Sequence, residues 1–468
     1  MISLILIFPI LACLIIFLIK NKNINNIIIN LYAIIHFACS VCLCLNFNPY
    51  DIKQNLFAVD ELNKIFLIVL SVVFLAVAIY NSGYMKDEVS SHKKLRHFGY
   101  AVLLFILSMT GTILSSNLGI SWVLIEATTL ASAYLIYFNK TKHSIEAVWK
   151  YVFICSIGIA LAFVGIILLT ISTGDLNSLY FIDLYNNAKI FNMFWLKLSF
   201  VFILFGIGTK MGLVPVHFWL PDAHAQSPSP ISALLSATLL NCAFFVILKV
   251  FKILIIAGCD SWARIMLYTM GFLSLFIASV FIYHINNYKR MLAYSSIENM
   301  GILAIGMALG GIGVVASIIH LIGHSLIKAS FFMTSGNILK IYNTKKIKSI
   351  TGLISTDKKT SWLWVLSFLG ISAFPPSILF ISEFLILKTM LKQHHYFMSA
   401  VFLFLLTIVL YGLLKVVFKM TVADNKEHTK AYLPITMYAP QIVLLLIAFV
   451  LGIYFPYFDT IKQALIGY

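Results

Sequence analysis

Long apolar runs, interrupted by short polar stretches, dominate this chain. A span needs ~20 mostly apolar residues to cross a hydrocarbon core about 30 Å thick. By that measure the pattern predicts an all-α integral membrane protein with fourteen transmembrane helices and no soluble domain. The predicted spans lie near 2–19, 26–46, 62–82, 97–115, 117–138, 148–171, 195–216, 231–256, 263–284, 293–310, 312–339, 361–391, 398–419 and 434–456.

Two spans depart from the ordinary pattern. In the seventh, the apolar run FVFILFGIGTK ends on Lys210, and Gly212 and Pro215 then break the helix. Pro215 has no N–H to offer the carbonyl of Met211. A short aromatic segment with His217, Trp219, Asp222 and His224 follows. In the twelfth, FPPSILFISEFLILK places Glu383 after Pro375 and Pro376. Broken helices at membrane depth are tolerated only against protein or water. The two breaks are five spans apart, an odd number, which predicts inverted repeats. The chain reads as one transmembrane domain: peripheral helices over 1–96, one repeat over about 97–256, a second over about 263–420, and a last helix near 434–456.

Charge inside these runs marks the candidate chemistry, because burying it in hydrocarbon costs a few kcal/mol or more. Lys210 lies 13 residues beyond Lys197, or ~20 Å of helix, too deep for ordinary snorkelling. Glu126, in GISWVLIEATTLASAYLIYF, falls near the bilayer midplane, and the hydroxyls of Thr128, Thr129 and Ser132 are expected on helix carbonyls. His320, His324 and Lys328 recur at i, i+4, i+8 and share one helix face. A lone membrane histidine is usually a packing residue, whereas three titratable groups on one stripe point to a relay. Metal binding by the two histidines ranks low, since no third ligand is near in sequence. Glu298 and Asn299, in KRMLAYSSIENMG, read as helix-end packing or as a gate. Glu126, Lys210, His320, His324, Lys328 and Glu383 form the predicted proton row. His217, Asp222, His224, Lys249 and Glu298 are accessory candidates.

Composition narrows the function classes. The chain has 468 residues, 61% hydrophobic and only 11% charged, which no soluble domain matches. Its net charge of +16 sits in short loops rather than in a basic domain, so nucleic acid is not the partner; the lipid bilayer is. Odd-numbered loops are the basic ones: Lys20 and Lys22; Lys86, Lys93, Lys94 and Arg96; Lys140 and Lys142; Lys289 and Arg290; Lys340, Lys345, Lys346, Lys348, Lys358 and Lys359; Lys426 and Lys430. Even-numbered loops are poorer: Lys53 lies in the second and Lys189 in the sixth, the fourth and tenth have none, and the eighth and twelfth are mixed. This bias places odd loops in the cytoplasm and both termini outside, in the cytoplasmic membrane. The first apolar run lacks a cleavage site and reads as a retained span. Of the seven cysteines, Cys39 and Cys42 form a C-x-x-C inside an apolar span and read as small hydrophobes. No metal framework, Walker motif or dinucleotide fingerprint is present, so no cofactor is expected in this chain.

The same residues carry a family resemblance. KMGLVPVHFWLPDAHAQSPSPISALL, KRMLAYSSIENMG, HSLIKASFFMTSGNI and the segment from Pro375 to Glu383 are similar to the antiporter-like subunits of complex I, of multisubunit sodium/proton antiporters and of membrane-bound hydrogenases. WVLIEATTLASAYLI and IEAVWKYVFICSIGIALAFVG look most like hydrogenase-4 component F. The resemblance implies a fourteen-helix fold with two inverted five-helix repeats. It implies a lysine–glutamate pair at Lys210 and Glu126, a relay at Lys328, His324 and His320, and an acid at Glu383. It also implies proton translocation coupled to redox chemistry, with metal centres in partner subunits of a hydrogenase-like or complex I-like assembly. A cation/proton antiporter without a redox partner is the alternative. One departure is Asn241, where many relatives have a lysine or histidine. Lys249 is the nearest basic residue, so the link between half-channels is expected to run differently or to depend on water.

Overall fold

A computed structural model of the chain describes residues 1–18, 22–45, 56–86, 92–174, 176, 178–422, 432–454 and 458–465. Lys20, Lys53, Lys426 and Lys430, counted above among the loop charges, lie outside the described residues. Among the described residues there is no β-strand, only three isolated bridges between loops.

The helices follow the apolar runs. They are α1 (Ile2–Leu18), α2 (Lys22–Cys44), α3 (Glu61–Tyr84), α4 (His92–Leu114), α5 (Leu118–Ile136), α6 (Lys142–Ser172), the short α7 (Phe181–Asn187), α8 (Met193–Met211), α9 (Trp219–Gln226), α10 (Ser229–Leu234) and α11 (Leu240–Ile256). They continue with α12 (Asp260–Ile282), α13 (Tyr288–Leu309), α14 (Ile312–Tyr342), the short α15 (Leu353–Thr356), α16 (Lys358–Ile371), α17 (Ile378–Lys392), α18 (Tyr396–Val422), α19 (Ala439–Ile453) and α20 (Phe458–Ala464). Among the described residues, twelve helices are long and apolar enough to cross a membrane. Adding α1 and the broken pair α16–α17 gives the fourteen expected spans. Asparagines start several of them. Asn117, Asn192 and Asn287 each accept two N–H groups of the first turn of α5, α8 and α13, satisfying donors that a helix start leaves open.

The two anomalous spans are broken as the sequence predicts. The seventh stops at Met211 because Gly212 adopts φ 76°, a left-handed cap that costs glycine little. Gly212 N–H then bonds the carbonyls of Gly208 and Thr209, so the break precedes Pro215. The twelfth stops at Ile371 and restarts at Ile378, with Ser377 as N-cap. The eighth is also irregular: α10 and α11 join through a π-helical turn, Leu235–Leu239.

Five spans begin with α4 and five with α12, and in each set the fourth member is the broken one. Five is odd, so the second set enters the membrane from the opposite face, which makes the repeats inverted. The buried centre is formed by α10–α11, α13 and α14, whereas α1, α6 and α18 turn exposed apolar side chains outward, among them Phe17, Phe153 and Phe404. Close approach of small residues draws neighbours together, as between α6 and α8. A Cβ on Gly206 would lie 2.5 Å from Ala162 N and Gly158 O, so only glycine permits this contact.

Candidate functional site

In the first half, Lys210 is fully buried at the last turn of α8. The turn is held from two sides: Trp219 Nε1 donates to Thr209 O at 2.7 Å, and Val214 N–H donates to Ser274 Oγ at 2.9 Å. Lys210 Nζ donates to Tyr151 Oη at 2.9 Å, and lies 4.7 Å from the Tyr151 ring centroid. Tyr151 in turn meets Ser132 Oγ at 2.6 Å, and Ser132 donates to Thr128 O at 2.6 Å. With the Ser132 proton on that carbonyl, the Tyr151 hydroxyl donates to Ser132, giving a continuous chain from Lys210 to α5. The tyrosine ring also packs on Trp219 at 4.8 Å.

The lysine–glutamate pair implied at Lys210 and Glu126 is electrostatic rather than a direct contact. Among the described residues no ion pair joins them; Tyr151 takes the lysine's hydrogen bond. Glu126 lies within electrostatic reach and accepts from Thr129 Oγ1 at 3.0 Å. Thr128 and Ser132 do put their hydroxyls on helix carbonyls, while Thr129 uses the carboxylate instead.

In the second half, His320, His324 and Lys328 line one face of α14, all fully buried. Lys328 Nζ donates to Leu292 O on α13 at 2.9 Å. His320 bridges two helices: Nε2 meets Asn299 Oδ1 at 3.0 Å, and Nδ1 meets Ser382 Oγ at 3.0 Å. Asn299 donates its amide to Ser295 O at 2.6 Å, so its oxygen faces the ring and Nε2 carries a proton. Ser382 also bonds Leu379 O at 2.8 Å. Its hydroxyl therefore has two settings. It donates to Nδ1 when His320 is neutral, and to Leu379 O when Nδ1 is protonated. One rotating hydroxyl accommodates both charge states of the histidine, as a relay requires. Neither ring nitrogen of His324 has a hydrogen-bond partner of ordinary geometry among the described residues.

Glu298 is corrected in position. It lies ten residues into α13, ~15 Å from its start, and so is neither helix-end packing nor a surface gate. It lines a cavity of about 130 Å³ together with Glu383 of α17 and residues of α18. Lys328 is within its electrostatic reach.

Between the halves stand hydroxyls and an amide. Asn241 Nδ2 donates to Ser325 Oγ at 2.7 Å, and Ser236, within the π turn, meets Ser296 Oγ at 2.8 Å. The π turn sits where these contacts form, a frequent placement for such bulges. Lys249 is elsewhere: it pairs with Asp60, the N-cap of α3, at 3.1 Å.

The remaining accessory candidates divide. Asp222 pairs with Lys150 at 3.0 Å and with Arg290, clipping α9 to α6 and α13. Lys289 and Lys345 donate to Ser227 O and Ala225 O at the end of α9. His217 is buried against the rings of Phe218 and Tyr294. His224 is buried, stacks on Phe332 at 4.7 Å, and has no hydrogen-bond partner for either ring nitrogen among the described residues. Among the described residues no group of three or more His, Cys, Asp or Glu side chains is placed to hold a metal ion.

A family model described as NADH:quinone oxidoreductase/Mrp antiporter, TM, matches residues 115–410, which hold every member of this row. The chain belongs to that family. It is 34% identical over 466 residues to a hydrogenase-4 component F homolog of Methylacidiphilum infernorum (isolate V4), covering 97% of this chain and 96% of the relative. It is 27% identical to Na(+)/H(+) antiporter subunit A1 of Staphylococcus haemolyticus (strain JCSC1435), covering 76% of this chain but 45% of that protein. In structure it is similar to a chain of the membrane-bound sulfane sulfur reductase, an archaeal respiratory membrane complex, with TM-score 0.90, 21% identity, and coverage of 99% and 96%.

Within this antiporter-family frame, the groups missed by sequence reasoning are neutral: Tyr151, Ser132, Asn299 and Ser382. Hydroxyls and amides in an apolar helix cost little and are common, so nothing in their spacing marks them. Only the buried charges they serve could have pointed to them.

Proposed function

We propose that this chain is the proton-translocating membrane subunit of a multisubunit redox complex of the hydrogenase-4 and complex I kind. The carrying observation is the set of buried titratable groups, Lys210, His320, His324, Lys328 and Glu298, with the half-buried Glu383 after the second helix break, and hydroxyls bonded to Lys210 and His320. Such groups, costly in hydrocarbon, mark a proton path by default. Protons hop between them through hydroxyls and water, and a change of charge at one end alters affinity along the row. The near end-to-end similarity to a hydrogenase-4 component F homolog supports the redox coupling. Electron carriers and metal centres belong to partner subunits. The repeats are assigned to about 97–256 and 263–420, flanked by 1–96 and 434–456. The basic bias of the odd loops supports a cytoplasmic membrane location with both termini outside.

A second reading is a subunit of a cation/proton antiporter, favoured by the similarity to antiporter subunit A1. Purification of the native assembly in mild detergent separates the two. The redox reading expects partner subunits bearing metal centres and proton uptake into vesicles driven by electron transfer. Absence of any redox partner, with proton movement driven by a sodium gradient, would put the antiporter reading in its place.

A further inference from the structure

Glu298 lies on α13 and Glu383 on α17, yet both line the same small cavity. Glu298 is 5% exposed, and among the described residues neither carboxylate forms an ion pair. The two lie within electrostatic reach of each other. Ser372, whose buried Oγ has no hydrogen-bond partner among the described residues, and Thr407 complete the polar part of the wall. The rest is apolar, chiefly Leu403, Leu406 and Leu410 of α18. The volume of about 130 Å³ has room for several waters, each needing ~10–15 Å³ on that measure.

Lys328 touches Leu292, four residues into α13, whereas Glu298 is ten residues in. Along α13, Lys328 therefore meets the helix six residues before Glu298. Glu383 sits five residues beyond the restart of the broken span. His320 is bonded to Asn299 next to Glu298 and to Ser382 next to Glu383.

We infer that Glu298 and Glu383 act as one proton-loading pair that exchanges its proton with water in this cavity. The inference rests on the proton-translocation reading and adds a reactive group to it. Two carboxylates in one low-dielectric pocket repel each other strongly, so they share a single exchangeable proton. Arrival forms one O–H bond on the pair. Release breaks that bond and passes the proton to water in the cavity. The pair alternates between two negative charges and one, and no other bond changes.

The test compares the native complex with Glu298→Gln, Glu383→Gln and the double substitution, each checked for assembly on a native gel. In vesicles, each single is expected to slow redox-driven pumping about tenfold or more, and the double to be no slower than the slower single, as for residues acting as a unit. Glu298→Asp should recover part of the rate. A native complex that does not pump removes the function reading itself. A native complex that pumps, with Glu298→Gln at the native rate or with singles that multiply in the double, overturns the pair. A second measurement needs no substitution. Carbodiimide, which reacts with protonated buried carboxyls, should leave one adduct per chain across the two positions, unaffected by exchanging potassium for sodium. Two adducts on one chain, or none, contradict a shared proton. Protection by sodium would make the pair a sodium site and overturn the proton assignment.

Discussion

Tyr151→Phe removes the one hydroxyl that links Lys210 to Ser132 in the proposed first half-channel. The ring stays, so its packing on Trp219 at 4.8 Å and its place 4.7 Å from Lys210 Nζ are kept. What is lost is the hydroxyl that accepts from Lys210 at 2.9 Å and meets Ser132 at 2.6 Å. A hydrogen bond to a charged group contributes about 1.5–3 kcal/mol. Lys210 is fully buried, so water does not replace it cheaply. If the bond is needed each time the lysine takes or gives a proton, that range corresponds to roughly ten- to hundredfold slower pumping, at ~1.4 kcal/mol per factor of ten. The assay is proton uptake by inside-out vesicles at a matched rate of electron transfer, with assembly verified on a native gel. Native pumping by an intact Tyr151→Phe complex would refute the hydroxyl chain.

Three further outcomes follow from the geometry. Ser382→Ala removes the rotating hydroxyl beside His320 and should slow pumping several-fold while the complex assembles normally; unchanged pumping would show the two settings of Ser382 to be idle. Gly206→Ala places a Cβ 2.5 Å from Ala162 N and Gly158 O, and overpacking of this kind costs about 1–3 kcal/mol. It should lower the thermal midpoint of the detergent-solubilised complex, and an unchanged midpoint would mean that α6 and α8 separate without penalty. Lys249→Met breaks the pair with Asp60, whose side chain is 46% exposed, and the contacts of the ammonium with the rings of Phe181 and Phe245. Pumping should stay within about twofold of native, since a partly exposed pair contributes ~1 kcal/mol or less; a large loss would return Lys249 to the path between the half-channels.

Most of the fold was legible because the bilayer imposes a length rule. Apolar runs of span length became helices, and the runs containing Gly212 and Pro375–Pro376 broke where proline and a left-handed glycine end a helix. The π turn at Leu235–Leu239 was not legible, since its residues fit an α-helix equally well. Buried charge was visible for the same reason as the spans: lysine, glutamate and histidine stand out in an apolar run. Depth within a helix was less certain. Glu298 looked terminal because the polar start of α13, from Tyr288 to Ser296, hid the true beginning of the helix. Which charge meets which was not readable, because partners are set by helix packing between distant segments. Lys210 therefore bonds Tyr151 rather than Glu126, and Lys249 turned to Asp60, 189 residues away. The serines and asparagines that join the row carry no charge signal in the sequence.

The central claim is that Lys210 lies on a proton path driven by redox chemistry in partner subunits. The most direct measurement is redox-driven proton pumping in membrane vesicles by the native complex and by Lys210→Ala, with both confirmed intact on a native gel. The account predicts that pumping collapses in the variant while the assembly persists. Pumping at the native rate from an intact Lys210→Ala complex would contradict it and leave Lys210 a structural residue.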